Sequence, residues 1–197
     1  MRRSEGGATE PTRFPWLWLL PGVLVVAGLL VWGIVVYPDL PARVPQHFGS
    51  DGVDNWADKS VASVFLPVLV PAGSLVVLSA TALGTLRVTP TSELAPGQRV
   101  SSLVNRPSTR EGARRIAQVQ LFLGCCVGLS VAGGCTAMWS TDPARAADRT
   151  MGTLVLVLTP MVLGVVATLV TALRDRKQAS ATGRCDPGAP SRSTGRG

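Results

Sequence analysis

Four apolar stretches, Trp16–Tyr37, Ala62–Leu86, Ile116–Met138 and Met151–Leu173, divide the chain. Each is about as long as a helix must be to cross the hydrocarbon core of a bilayer. A segment at that depth has no water for its backbone N–H and C=O groups, so it must satisfy them within itself, and a helix is the simplest way to do so. The pattern therefore predicts an all-α, polytopic membrane protein with four transmembrane helices. None of the four carries Asp, Glu, Lys, Arg or His near its middle. Ion and proton carriers commonly place such groups there, which argues against a pump or secondary transporter built from this chain alone.

Composition agrees. Of 197 residues, 46% are hydrophobic and only 16% charged, and the charges gather between and beyond the apolar runs. The connections are too short for a separate globular domain. The longest, Arg87–Arg115, is rich in Ser, Thr, Pro and Gly and reads as a polar loop that need not pack a core. The first run follows Arg2, Arg3 and Arg13 and could be mistaken for a secretory signal. It is longer than a signal's apolar region and shows no clear cleavage motif, so it reads as a retained anchor helix.

Lys and Arg set the orientation, because basic residues close to membrane ends stay on the cytoplasmic side. They crowd the tail 1–15, the loop 87–115 and the tail 174–197, whereas the loops 38–61 and 139–150 hold two each. Both termini and the middle loop are thus expected in the cytoplasm of a bacterial cell, with the multi-pass chain in its cytoplasmic membrane. The same placement accounts for the net charge of +7. A surplus gathered beside membrane ends points to anionic lipid heads in the bilayer and not to nucleic acid. The tail from Arg174 to Gly197 is expected to be disordered.

Apolar helices gain no hydrophobic free energy by meeting inside lipid, so small residues that permit close approach become the means of association. Gly124, Gly128 and Ala132 recur at four-residue spacing in the third run, and Gly164, Thr168 and Ala172 in the fourth. These stripes predict that the two helices pair as an antiparallel hairpin, or that one of the stripes docks a membrane-protein partner or a second copy. Pro67 and Pro71 each remove a helical hydrogen bond near the outer end of the second run, which the first helix or the preceding loop is expected to cover. Cys125, Cys126, Cys135 and Cys185 form no metal-type or thiol-exchange spacing and read as small hydrophobes.

The distinctive part of the chain is the first external loop, which holds its one histidine. Pro38, Pro41 and Pro45 keep the backbone extended and Gly49 and Gly52 permit turns, predicting a hairpin or an irregular cap, with Phe48 and Trp56 against the membrane interface or the helix ends. The string Leu40-Pro41-x-x-Val44-Pro45-x-His47-Phe48, then Gly52-x-x-Asn55-Trp56-x-x-Lys59 and a helix bearing Pro67, resembles the bacterial membrane family called domain of unknown function 1648. The resemblance spans roughly residues 25–75 and points to Pro41, Pro45, His47, Phe48, Gly52, Trp56 and Lys59 as the structural or recognition residues of the loop. It implies kinship with SdpI-type immunity proteins, which protect a cell from a secreted membrane-active toxin.

Three roles compete for His47: a cap for loop carbonyls or helix ends, a metal ligand with Asp51, Asp54 or Asp58, and a recognition residue for an extracellular peptide, lipid or partner. A single imidazole among flexible carboxylates is a weak metal set, so no metal or other cofactor is expected. Ser50 and Ser60 lie near His47 in sequence, yet no second catalytic group stands out, and no enzyme activity is expected. The expected role is a non-catalytic binding or regulatory protein of the immunity-like type, with an accessory subunit of a transport or regulatory complex as the alternative.

Overall fold

The structure, a computed structural model, describes residues 13–49, 52–94, 106–139 and 150–182. Four helices dominate: α1 (Trp16–Val36), α2 (Val61–Arg87), α3 (Arg110–Met138) and α4 (Thr150–Thr182). All four are long and apolar enough to cross a membrane. Between α1 and α2 stand two short antiparallel strands, β1 (Arg43–Gly49) and β2 (Gly52–Asp58). The loop between α1 and α2 is therefore a β-hairpin, the more regular of the two shapes expected of it.

Helix limits follow from local chemistry more than from hydropathy. α2 opens on a reciprocal box in which the Ser60 hydroxyl accepts from the Ser63 N–H and the Ser63 hydroxyl accepts from the Ser60 N–H. α3 starts six residues before its apolar run, because Thr109 Oγ1 accepts from the Gly112 N–H at 3.0 Å and Glu111 favours the first turn. α4 continues to Thr182, so the tail expected to be disordered from Arg174 begins as helix. Arg, Lys, Gln and Ala are good helix formers and prolong it past the membrane boundary. Residues 183–197, Cys185 among them, lie outside the described residues.

α3 is the axis of the bundle, with α1, α2 and α4 packed against it and α1 also touching α2. The expected pairing of α3 with α4 is present, but the stripe proposed for it faces elsewhere. A methyl added at Gly124 would stand 3.0 Å from Leu75 of α2, and one at Gly128 would stand 2.8 Å from Val25 of α1. The α3 glycines that admit α4 are Gly133, where an added methyl would meet the Leu156 backbone at 3.1–3.2 Å, and Gly112, where it would run into the Asp175 carboxylate. On α4 the expected Gly164 does face α3, against Leu123 and Cys126. Four-residue spacing identifies one helix face but not its neighbour, and a central helix has three neighbours. Pro71 is fully buried, with Gly128 of α3 beside it.

Two apolar clusters mark the ends of the bundle. At the hairpin end Leu29, Leu40, Val44, Val64, Val68, Cys135, Met138 and Trp139 are buried together. Trp139 is thus not a loop residue: it ends α3 and lies edge-on to Trp32 at 4.9 Å. At the opposite end Ala82, Leu86, Ala113, Ala117 and Leu121 pack with Phe14 and Leu19.

The described part of the middle loop also packs, contrary to its polar composition. Pro90, Pro107 and Ser108 are buried, and the amides of Thr91 and Ser92 donate to the carbonyls of Pro107 and Ser108. Arg110 meets Glu93 through two hydrogen bonds of 2.7 Å. The Asp175 carboxylate of α4 accepts from Ser108 Oγ at 2.6 Å and from the Ser108 N–H at 3.1 Å, which ties the loop to α4.

Candidate functional site at the hairpin end

Pro38 sits in a 3-10 turn, Tyr37–Asp39, that ends α1 and sends the chain outward. Leu40 and Val44 then turn inward and are almost completely buried, and Pro45 is fully buried beside them. These residues plug the end of the bundle, so the hairpin is seated on the helices.

Its register pairs Arg43 with Asp58, Val44 with Ala57, Pro45 with Trp56, His47 with Asn55, Phe48 with Val53 and Gly49 with Gly52. Gln46 and Asp54 have no opposite residue, so each strand carries one irregularity beside His47. The Gln46 side chain uses its displacement to donate to the Ser63 carbonyl of α2 at 3.3 Å. Asp54 turns its carboxylate to His47, Nδ1 to Oδ1 2.7 Å. Both side chains remain exposed, 67% for His47 and 56% for Asp54.

Lys59 is the clasp. Its Nζ donates to the Pro38 carbonyl at 3.0 Å and to the Leu40 carbonyl at 2.9 Å, and stands 5.1 Å from the centre of the Tyr37 ring. Its backbone N–H donates to Ala42 at 2.8 Å. A cation over the carbonyls that follow a helix C-terminus is favourably placed, and the aromatic face adds to the attraction.

The residues expected to form the site therefore divide into two groups. Pro45 and Lys59 hold the hairpin to the bundle, while Trp56 is half-buried opposite Pro45 and Pro41 half-buried ahead of β1. His47 is exposed and, among the described residues, caps no carbonyl; Lys59 does that. Phe48 and Gly52 occupy paired strand positions, and the side chain of Phe48 lies outside the described residues.

Of the carboxylates considered with His47, Asp58 lies 4.0 Å from Arg43 and Asp51 is outside the described residues. Among the described residues no group of three or more His, Cys, Asp or Glu is placed to hold a metal ion. Ser60 is spent on capping α2, and Ser50 is not described. Sequence reasoning missed Gln46 and Tyr37, whose roles depend on where the hairpin lands. The Ser60-x-x-Ser63 spacing was the available sign that a helix starts there.

No curated protein and no solved structure matches the chain. The segment that carries the hairpin, residues 23–70, matches the family described as Domain of unknown function (DUF1648), a span that runs from α1 through the hairpin into the first ten residues of α2.

Proposed function

We propose that this multi-pass membrane protein is a non-catalytic binding or regulatory protein of the bacterial cytoplasmic membrane, with both termini inside and the hairpin outside. The carrying observation is the division of labour in the hairpin. Its apolar residues and Lys59 fix it to the bundle, while the His47–Asp54 pair is presented to solvent. A rigid element that offers polar groups suits recognition of an external peptide, since little ordering cost remains to be met on binding. The immunity-type resemblance suggests a secreted membrane-active peptide as the ligand class.

The test is survival of a sensitive bacterial strain challenged with such a peptide. The chain should raise the surviving fraction, and replacing His47 and Asp54 together by Ala should remove the gain while membrane levels of the protein stay constant. Absence of protection by the parent chain would overturn the immunity-type reading. Orientation is tested separately: reporters fused after Asp54 and Thr141 should report outside, and those after Pro96 and Ser180 inside. An external signal from Pro96 would invert the topology.

The accessory-subunit reading draws on one observation. Only 6% of the apolar window of α4 is buried within the chain, which leaves a long apolar face for a membrane partner or for lipid. Co-purification of an intact complex in mild detergent distinguishes the two.

A further inference from the structure

At the end of the bundle away from the hairpin, α3 and α4 do not close flush. Two adjoining cavities of about 120 Å³ and 200 Å³ share Thr171 and Asp175 in the seam. Arg115 and Arg174 edge the smaller, and the larger is walled by Ile116, Val119 and Ala172 and carries Gln120. The larger exceeds the ~150 Å³ of an apolar cavity known to admit benzene. Ile116 opens the apolar run of α3 and Leu173 closes that of α4. The cavities thus lie where hydrocarbon gives way to lipid headgroups.

The rim is cationic. Arg115 is paired with Glu111 of its own helix, while Arg174 forms no ion pair among the described residues. Asp175 is the carboxylate that lines both cavities, and it is engaged by the Ser108 N–H and hydroxyl. The inner lining offers acceptors. Gln120 lines the larger cavity, and its buried Oε1 has no hydrogen-bond partner. The hydroxyls of Thr168 and Thr171 donate to the carbonyls of Gly164 and Ala167, each at 2.8 Å, leaving their oxygens to accept.

Cations outside, acceptors inside and an apolar wall complement a phosphodiester that bears hydroxyl groups and an acyl chain. We propose that this seam binds the headgroup of an anionic phospholipid of the phosphatidylglycerol type. The phosphate lies against Arg115 and Arg174, the headgroup hydroxyls donate toward Gln120 and Thr171, and the chain follows Ile116, Val119 and Ala172. A zwitterionic headgroup fits less well, since its ammonium would meet the same cations. Free phosphate would leave the apolar wall unused.

The full chain, purified in mild detergent, is supplied in turn with phosphatidylglycerol, phosphatidylethanolamine, phosphatidylcholine and inorganic phosphate. Retained lipid is counted by native mass spectrometry and thermal stability measured alongside. Phosphatidylglycerol should be retained in preference and raise the melting temperature. Replacing Arg115 and Arg174 together by Gln should weaken retention on the order of tenfold or more, whereas Arg87→Gln with Lys177→Gln, an equal loss of charge, should leave it unchanged. Equal loss in the second pair would reduce the effect to diffuse surface charge and overturn the site, as would equal retention of phosphatidylethanolamine or equal protection by inorganic phosphate. Should the first pair fail to fold, Gln120→Met reads the inner half of the site: weaker retention supports it and parental retention overturns it.

Discussion

α3 and α4 lie side by side and share a seam, yet they are opposites. α3 is the least hydropathic of the four spans and 56% of its apolar window is buried by protein; α4 is more apolar and 6% is buried. In water the more apolar helix would be the one inside. In a bilayer the lipid tails are as apolar as any side chain, so a Leu-rich and Val-rich surface needs no cover, and a face of Gly, Ser, Cys and Ala gains by letting backbones approach. Gly112, Gly124, Gly128, Gly133, Cys126, Ser130 and Cys135 are accordingly buried in α3, while Leu154, Leu158, Val162, Val165 and Leu169 of α4 face outward. Small residues, with Leu121 and Met138 as the large exceptions, mark the buried face of α3.

The contrast is broken most directly by equal truncations in the two helices. Leu121 of α3 is fully buried and Leu158 of α4 is 55% exposed. Leu121→Ala should lower unfolding stability in detergent by about 2 kcal/mol, the low end of the usual range, because lipid replaces water as the alternative surroundings and mainly the cavity is felt. Leu158→Ala should change it by less than about 0.5 kcal/mol. Equal losses would mean that α4 is as enclosed as α3.

The same distinction between contacts made by protein and contacts left to the surroundings recurs in the hairpin. Lys59→Met removes both charge-assisted bonds to the carbonyls of Pro38 and Leu40 and should cost on the order of 1.5–2 kcal/mol in thermal unfolding, with Lys59→Arg recovering part of it. A neutral Lys59→Met would show that the plug of Leu40, Val44 and Pro45 suffices to seat the hairpin.

Close approach is tested by a pair of adjacent glycines. Gly133→Leu drives a side chain into the Leu156 backbone and should destabilise by roughly 1–2 kcal/mol, while Gly134→Leu enters open space and should be nearly silent. Similar effects at both would move the α3–α4 seam elsewhere.

The smallest effect is expected at His47. Its pair with Asp54 is exposed, so His47→Asn should shift stability by about 0.2–1 kcal/mol, within the range of surface ion pairs. Zinc or a chelator should leave the melting temperature of the parent protein unchanged; a zinc-dependent rise lost in the Asn variant would make the hairpin a metal site.

Much of this fold was legible because a bilayer imposes few solutions. Apolar length alone located the four helices to within one residue at every end except the start of α3, six residues earlier, and the end of α4, nine residues later. Three prolines followed by Gly49 and Gly52 pointed to a hairpin or an irregular cap. The errors have two origins. The start of α3 at Arg110 and the end of α4 at Thr182 follow from local capping and helix propensity that apolar length does not register. The burial of Ser108 and Trp139 and the use of Asp175 depend instead on partners distant in sequence, of which composition carries no record. Pattern singled out the loop residues, but it could not divide them between buried and exposed positions: nothing in Pro-x-His-Phe states that the proline is buried and the histidine exposed.

What the sequence determined by itself is the number of spans, the helical character and the place of the hairpin, because these follow from covalent length, apolar runs and backbone restrictions that act locally. Only the tertiary structure decided that α3 is the axis, that Gly124 and Gly128 serve α2 and α1 while Gly133 serves α4, and that Lys59 clasps the end of α1. Helix periodicity fixes which residues share a face. Which helix comes to that face is settled by packing among all four at once, and no single segment encodes it.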